Sequence, residues 1–307
     1  MIDLEEIRRA RERLGASVLR TPLVEVEDGT WAKLECLQPI GSFKLRSALN
    51  AIRSASTAEL ANGVVTVSAG NMAQGVAWAA REAGVRARII APDTAPRAKL
   101  DAIERLGGEV VAVPREEWWQ TMLDGRHAGS DGLFVHPARN DAVMAGNGTI
   151  GLEICEELDD FDTVIVPWGG GGLTTGVASA VKALRPGARV VTAEPATGAP
   201  FAAAFAAGGP VEIEFEPSFV DGAGGPSLLP GMWEGARELV DEAVAVELDD
   251  VADAMRLIAS RAHAIAEGAG ALAVAAARGR QGRTVCIVSG GNIDAAVFAR
   301  VLTGELP

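Results

Sequence analysis

Two kinds of segment alternate along this chain, and their alternation limits the folds that it can adopt. Short runs rich in β-branched residues predict strands, and longer amphipathic, alanine-rich runs predict helices. We predict strands over residues 63–67, 87–91, 109–113, 163–167, 189–193 and 284–288, and helices over 5–14, 42–54, 71–83, 96–106, 142–158, 173–184, 251–264 and 268–277. Such alternation is typical of parallel sheets covered by helices. The fold class is therefore α/β, and the length of 307 residues suggests about two domains.

The composition argues against several classes of protein. A net charge of −13 opposes nonspecific binding of nucleic acid, which depends on basic residues. No apolar run approaches the ~18 residues that span a bilayer, and the acidic N-terminus lacks the pattern of a signal peptide. The three cysteines, Cys36, Cys155 and Cys286, lie too far apart in sequence to indicate a metal site or a disulfide framework. We therefore expect a cytoplasmic protein without nucleic-acid or membrane partners.

Three loops follow predicted strands and precede predicted helices, which is where ligands bind in open α/β sheets. The first loop contains Ser68, Ala69, Gly70, Asn71 and Met72. Its small residues can expose backbone N–H groups to an anion such as an amino-acid carboxylate, and the helix dipole favours negative charge there. The alternative is an ordinary turn in which Ser68 or Asn71 caps the helix.

The second loop is the run of four glycines from Gly169 to Gly172, followed by Leu173 at the start of a helix. Bare backbone amides in such a run can close around a phosphate. No Gly-Lys-Ser/Thr follows, so the run is not a P-loop, and it matches a dinucleotide fingerprint only loosely. The alternative is a flexible turn, but four glycines together favour close approach to a ligand.

The third loop is Ser289-Gly290-Gly291-Asn292, and a fourth segment, Gly41 to Arg46, contains Lys44. Ser289 can exchange a hydrogen bond with a ring nitrogen of a ligand, or the loop can simply begin a helix. Spacing alone does not distinguish a reactive Lys44 from a solvated lysine in the first turn of a helix.

Together these segments resemble the fold type II pyridoxal-phosphate enzymes (tryptophan synthase β-like), and within them the threonine dehydratase and serine racemase group. The likeness extends from Thr21 to Asp294. Further motifs that carry it are His136-Pro137, Ala145-Gly146-Asn147-Gly148-Thr149 and Glu194-Pro195. The resemblance implies a large cofactor-binding domain from residues 1–54 and 141–307, and a small substrate-gating domain from residues 55–140. It also implies a homodimer.

The resemblance implies a role for each of these residues. Lys44 would be joined to pyridoxal 5′-phosphate and would remove the substrate's Cα proton, for which a desolvated, neutral amine is required. Phe43 would pack on the cofactor ring, Asn71 would bind the ring hydroxyl, and Ser289 would face the pyridine nitrogen. The four glycines and Leu173 would hold the phosphate. Residues 68–72 would bind the substrate carboxylate.

The implied reaction is α,β-elimination from a β-hydroxy amino acid, L-threonine or L-serine, to give a 2-oxo acid and ammonia. Ala69 stands where serine racemases carry a serine that acts on the opposite face of Cα, and threonine dehydratases often have alanine there. Alternatives are dehydration of another 3-hydroxy amino acid such as 3-hydroxyaspartate, β-replacement and racemisation. A nucleotide-binding protein without catalytic activity would leave Lys44 and Ser289 unexplained.

Several residues depart from the family pattern. Met72 replaces the usual histidine, and Ser47 replaces a glycine. Glu194 matches one ligand of a cation site found in some relatives, but Pro200 stands at the expected aspartate, so we expect no metal and a hydrogen-bonding role for Glu194. Arg139 either reaches a substrate carboxylate or pairs with Asp141. Trp118 and Trp119 are expected to pack a helix.

Overall fold

The computed structural model describes all residues, 1–307, and contains ten strands and twelve α-helices. The strands are β1 (Leu23–Glu27), β2 (Thr30–Lys33), β3 (Val64–Val67), β4 (Ala87–Pro92), β5 (Gly108–Val113), β6 (Leu133–Phe134), β7 (Thr163–Pro167), β8 (Arg189–Pro195), β9 (Glu242–Val246) and β10 (Thr284–Ile287). The helices are α1 (Leu4–Leu14), α2 (Lys44–Arg53), α3 (Asn71–Ala83), α4 (Arg97–Arg105), α5 (Arg115–Asp124), α6 (Asp141–Glu157), α7 (Gly172–Leu184), α8 (Pro200–Ala207), α9 (Met232–Ala236), α10 (Leu248–Arg261), α11 (Gly268–Ala277) and α12 (Ala295–Leu302).

The strands form two sheets. The larger has the order β1-β2-β10-β7-β8-β9, and only the β1–β2 pair is antiparallel. The smaller has the order β5-β4-β3-β6 and is entirely parallel. Every residue of β3, β7 and β10 is buried, as expected for strands covered on both faces. The predicted α/β class with mostly parallel sheets is confirmed.

All six predicted strands and eight predicted helices are present, with bounds that differ by a few residues at most. The sequence did not predict β1, β2, β6, β9, α5, α8 or α9, and it indicated α12 only as a helix after the third loop, without bounds. Most of these are short, and β1, β6 and β9 are edge or half-buried strands whose apolar pattern is weak. None of the helices combines the length and the apolar character that crossing a membrane requires.

The smaller sheet lies wholly within residues 64–134. The division into two domains, with boundaries at 54/55 and 140/141, stays a prediction. Helix α2 shares a hydrophobic cluster with α3 and the smaller sheet through Leu45, Leu49 and their neighbours. The loop before α2 is attached instead to the end of β10, in the larger sheet. The start of α2 therefore lies where the two sheets meet.

Candidate active site

Lys44 is the first residue of α2, and the chain just before it is bound to the larger sheet. Ser42 forms a β-bridge with Gly290, and the Phe43 amide donates to the Ser289 carbonyl at 3.0 Å. These contacts join two predicted site segments that are about 245 residues apart. They place the Lys44 side chain beside the residues that follow β10.

The amine of Lys44 is held in a largely apolar setting. Its Nζ donates to the Pro137 carbonyl at 2.7 Å and lies 4.9 Å from the centroid of the Phe43 ring. Desolvation lowers the pKa of Lys44 from 10.5 to about 8, because burial disfavours the charged ammonium. The neutral amine that proton abstraction requires is therefore accessible near neutral pH.

A cavity of about 700 Å³ opens beside this amine, between the two sheets. It collects nearly all of the predicted site residues: Phe43, Lys44, Ser68, Gly70, Asn71, Met72, Gly169, Gly170, Gly171, Gly172, Leu173 and Ser289. Ala69 is the exception, because it does not line the cavity. The three loops that follow strands thus converge at the carboxyl edges of β3, β7 and β10, as ligand sites in α/β sheets do.

The four glycines form a close-fitting turn into α7. Gly171 has a φ of +86°, which favours glycine. A Cβ on Gly170 would lie 2.7 Å from the Ala138 Cβ, and one on Gly172 would lie 2.7 Å from the Ala138 carbonyl oxygen. A side chain at either position would displace its neighbours, so this turn is not merely flexible.

The same turn presents unpaired donors. The backbone amides of Gly169, Gly170, Gly171, Gly172 and Leu173 donate no hydrogen bond within the protein. They lie at the start of a 13-residue helix, whose dipole adds partial positive charge. A phosphate is the kind of group that this arrangement accepts.

The start of α3 is a second place for an anion. Its N-cap is Gly70, and no side chain caps the helix, so the capped-turn alternative is wrong. Ser68 Oγ accepts from the Gly70 amide at 3.1 Å, while the amides of Asn71, Met72 and Ala73 donate no hydrogen bond within the protein. An amino-acid carboxylate suits these free donors.

Ser289 and Met72 differ in their environments. Ser289 is 5% exposed, and its Oγ makes only a long contact of 3.5 Å with the Ala269 carbonyl, so the hydroxyl is free to meet a ligand. Met72 is 2% exposed and packs near Ser47, whose Oγ lies 4.0 Å from its Sδ. Met72 supplies an apolar wall where an imidazole would supply a donor.

Some cavity residues were missed by the sequence reading, and Glu267 is the most consequential. It is 6% exposed, and burial raises the pKa of its carboxyl to about 7, with the neighbouring charge of Asp221 adding to the effect. A carboxylate directly before the small residues Gly268 to Ala271, with no Lys or Arg three or four residues away, is the sequence feature that could have drawn attention to it.

Three other expectations need correction or completion. Arg139 neither lines the cavity nor pairs with Asp141; its guanidinium donates to the carbonyls of Met122 and Leu123 near the end of α5. Trp118 and Trp119 were expected to pack a helix; Trp118 packs against residues of the smaller sheet, and both residues line the cavity. Both Trp residues belong to α5, which the strand–helix pattern did not reveal.

His136 and Glu194 have structural partners. His136 Nδ1 accepts from the amides of Ala138 and Arg139 at 3.0 Å, which places the proton of the neutral ring on Nε2, where it donates to the Met122 carbonyl; Arg139 Nε, 3.1 Å from the same nitrogen, is then a close contact and not a donor to the ring. Desolvation lowers the pKa of His136 to about 4, which keeps the ring neutral. Glu194 accepts from the Phe201 and Ala202 amides at the start of α8, in agreement with a hydrogen-bonding role.

Comparison with known proteins decides the family. Residues 16–290 match the family model described as pyridoxal-phosphate dependent enzyme. The chain belongs to the pyridoxal-phosphate dependent enzymes. An L-threonine ammonia-lyase of Thermotoga maritima is 39% identical over 319 residues, which cover 100% of this chain and 79% of that protein.

Solved structures of related pyridoxal-phosphate enzymes agree with this assignment. Maize serine racemase superposes with a TM-score of 0.86 at 32% identity, covering 99% of this chain and 97% of the other. Threonine deaminase isoform 2 of Solanum lycopersicum superposes with a TM-score of 0.85 at 31% identity, covering 98% and 94%. The predicted family, fold and cofactor are confirmed, and the glycine turn with free amides fits the phosphate of that cofactor.

Proposed function

We propose that this protein is an ammonia-lyase that converts a β-hydroxy amino acid, L-threonine or L-serine, into a 2-oxo acid and ammonia. The observation that carries the proposal is the convergence of a desolvated lysine amine, a glycine phosphate cradle and a free helix N-terminus on one cavity. The Thermotoga maritima relative, an L-threonine ammonia-lyase, supports the same reaction class.

The cofactor is proposed to lie between the glycine turn and Ser289. The amides of Gly169 to Leu173 would hold its phosphate, Phe43 and Asn71 would contact its ring, and the Ser289 hydroxyl would meet its pyridine nitrogen. When bound, pyridoxal phosphate supplies a conjugated ring that disperses the negative charge left at Cα. Because Ser289 is neutral, it does not hold a proton on that nitrogen as a carboxylate would, which suits elimination over transamination.

Lys44 is proposed as the catalytic base. Its amine would hold the cofactor before substrate binds, and in its neutral form it would take the Cα proton of the substrate. The substrate is oriented by its carboxylate, which the free amides at the start of α3, with Ser68, would bind. The Cβ hydroxyl would take up a proton and leave as water, which balances the proton removed from Cα, and hydrolysis of the released enamine product would consume one water and give the 2-oxo acid and ammonia.

Ala69 favours elimination over racemisation. Racemisation needs a group on the opposite face of Cα that returns a proton, and the methyl group of Ala69 carries none. Ala69 is also set back from the cavity. A proton removed by Lys44 therefore has no return donor at this position.

Oligomeric state, location and domain motion are further parts of the proposal. We propose a cytoplasmic homodimer that binds an amino acid and neither nucleic acid nor membrane, in which residues 55–140 form the domain that gates the substrate. All three cysteines are buried and free, in agreement with a reducing compartment.

Product analysis tests the reaction. Protein supplied with pyridoxal phosphate is incubated with L-threonine, L-serine, 3-hydroxyaspartate or phenylserine, and oxo acid and ammonia are measured. We expect 2-oxobutanoate from L-threonine or pyruvate from L-serine, lost in Lys44→Ala and kept in Lys182→Ala, a lysine outside the cavity that pairs with Asp241. Absence of oxo acid from every substrate contradicts the proposal, and turnover of O-acetylserine with sulfide would indicate β-replacement instead.

A further inference from the structure

Four groups from both sides of the cavity form a continuous hydrogen-bonded chain. Asn292 Nδ2 donates to the Ile40 carbonyl at 2.8 Å and to Asn71 Oδ1 at 2.7 Å. Asn71 Nδ2 in turn donates to Glu267 Oε1 at 2.7 Å. Asn71 starts α3 beside the smaller sheet, whereas Glu267 and Asn292 follow elements of the larger sheet, so the chain crosses between the two.

The direction of donation along this chain is fixed at one end. A backbone carbonyl can only accept, so Ile40 requires the NH₂ group of Asn292 on its side. That NH₂ group then needs an acceptor in Asn71, which turns Oδ1 toward Asn292 and Nδ2 toward Glu267. The carboxylate of Glu267 is the last acceptor in this chain of hydrogen bonds. The amide of Asn71 therefore has one orientation.

Glycines on both sides make room for these groups. A Cβ on Gly41 would lie 3.1 Å from the Asn292 side-chain carbon, and one on Gly290 would lie 3.1 Å from Asn71 Nδ2 and would collide with the Glu267 carboxylate. Two of the glycines in the Gly-Ser-Phe-Lys and Ser-Gly-Gly-Asn segments thus leave space for this chain of hydrogen bonds. The contacts are built into the backbone of the site.

Only part of the Asn71 donor capacity is used. Its NH₂ group has two hydrogens, and Glu267 takes one. Asn71 lines the cavity, so the second hydrogen is available to a ligand there. Glu267 is buried at the inner end, while Asn292 is exposed at the outer end.

We propose that Glu267 and Asn292 are positioning residues that turn the Asn71 amide so that its free N–H donates to the oxygen on the cofactor ring. The proposal rests on the cofactor placement given under "Proposed function", but not on the reaction. Reversing the Asn71 amide would aim a carbonyl oxygen at that ring oxygen, and two acceptors facing each other repel. The Asn71 amide is held in this orientation only while the two sheets are packed together, because Glu267 and Asn292 lie on the side of the larger sheet.

Cofactor binding and absorption test this without any turnover. Pyridoxal phosphate is titrated into the protein, and the dissociation constant and the absorption spectrum of the bound cofactor are recorded. Glu267→Ala should weaken binding about tenfold, as expected for loss of one oriented hydrogen bond, and should change the ratio of the bound cofactor's absorption bands. Glu267→Gln keeps an acceptor oxygen and should stay closer to the unmodified protein in both measurements.

Two further variants complete the test. Asn292→Ala should reproduce the change seen in Glu267→Ala, because it removes the other end of the same chain, and it covers the case in which Glu267→Ala does not fold. Lys182→Ala, which breaks an ion pair with Asp241 outside the cavity, should leave the spectrum unchanged. Unchanged spectra and affinities in both Glu267→Ala and Asn292→Ala, or equal losses in Glu267→Ala and Glu267→Gln, overturn the proposal. Failure of the unmodified protein to bind pyridoxal phosphate would instead contradict the proposed placement of the cofactor.

Discussion

Arg46 and Glu35 form a doubly hydrogen-bonded ion pair that is fully enclosed by the protein. Arg46 Nε lies 2.8 Å from Glu35 Oε2, Nη2 lies 2.9 Å from Glu35 Oε1, and both residues have 0% exposure. Glu153 of α6 binds the same guanidinium. Since Arg46 is two residues beyond Lys44, this pair anchors the turn of α2 that carries the proposed catalytic amine.

Removing one partner of this pair should destabilise the protein strongly. Glu35→Ala leaves part of the buried Arg46 charge uncompensated, so we expect the free energy of unfolding to fall by about 3–5 kcal/mol. Urea denaturation measures this fall in the free energy of unfolding. Asp101→Ala breaks the exposed pair of Arg97 and Asp101 and should change stability by less than about 1 kcal/mol. Similar losses in the two variants would contradict the inferred role of burial.

Lys44 should titrate far below a free lysine in the protein without cofactor. Because desolvation lowers its pKa to about 8, its neutral fraction should rise between about pH 7 and 9. The rate of modification by an amine-reactive reagent, followed by mass spectrometry, should have its midpoint in that range. A synthetic peptide of residues 38–50 provides the control, with a midpoint near the ordinary lysine value of about 10.4. If the protein and the peptide had the same midpoint, the cavity would not desolvate the Lys44 amine.

A single methyl group in the phosphate cradle should weaken cofactor binding. The Cβ of Gly172→Ala would lie 2.7 Å from the Ala138 carbonyl oxygen, which forces the turn to shift. We expect at least about a tenfold higher dissociation constant for pyridoxal phosphate, a loss of about 1.4 kcal/mol. Gly187→Ala has nothing within 4 Å of its new Cβ and serves as the matched control. Equal affinity in the two variants would contradict the assignment of this turn.

Glu194 should make stability depend on pH. Burial raises its pKa from 4.5 to about 7, so the native protein retains a proton there that the unfolded chain has already released. Between pH 4.5 and about pH 7, the unfolded chain binds fewer protons at Glu194 than the native protein does. The contribution of this carboxyl to the free energy of unfolding therefore falls as pH rises. The stability difference between the unmodified protein and Glu194→Gln should decline by on the order of 3 kcal/mol from pH 4 to pH 8. If this stability difference grew with pH, the pKa of Glu194 would be lowered in the native protein and not raised.

The sequence predicted those parts of the site that lie in local patterns. Gly169 to Gly172, Lys44 and Ser289 each follow or open a regular element, and periodicity places such residues at the edges of parallel strands. Glu267 was not predicted because its role depends on Asn71 and Asn292, which lie about 196 and 25 residues away in sequence. Its burial and its hydrogen bonds are tertiary, so no local pattern contains them.

Arg139 shows a second reason why a contact could not be predicted from the sequence. Its neighbour Asp141 suggested a local ion pair, yet the guanidinium binds backbone carbonyls near the end of α5. That helix begins after Pro114 and exposes five of its ten residues, so its weak apolar pattern did not predict it. A partner cannot be assigned when the element that supplies it has not been found.

The position of β10 has a consequence for how the protein is made. This strand comes after every other strand in sequence, yet it fills the gap between β2 and β7 at the middle of the larger sheet. The nine strands that precede it therefore cannot complete this sheet by themselves, and Ser289 meets Phe43 only after residues 284–287 have paired with β2 and β7. A chain interrupted before residue 284 should therefore fail to bind the cofactor and should be cleaved by proteases more readily than the intact chain.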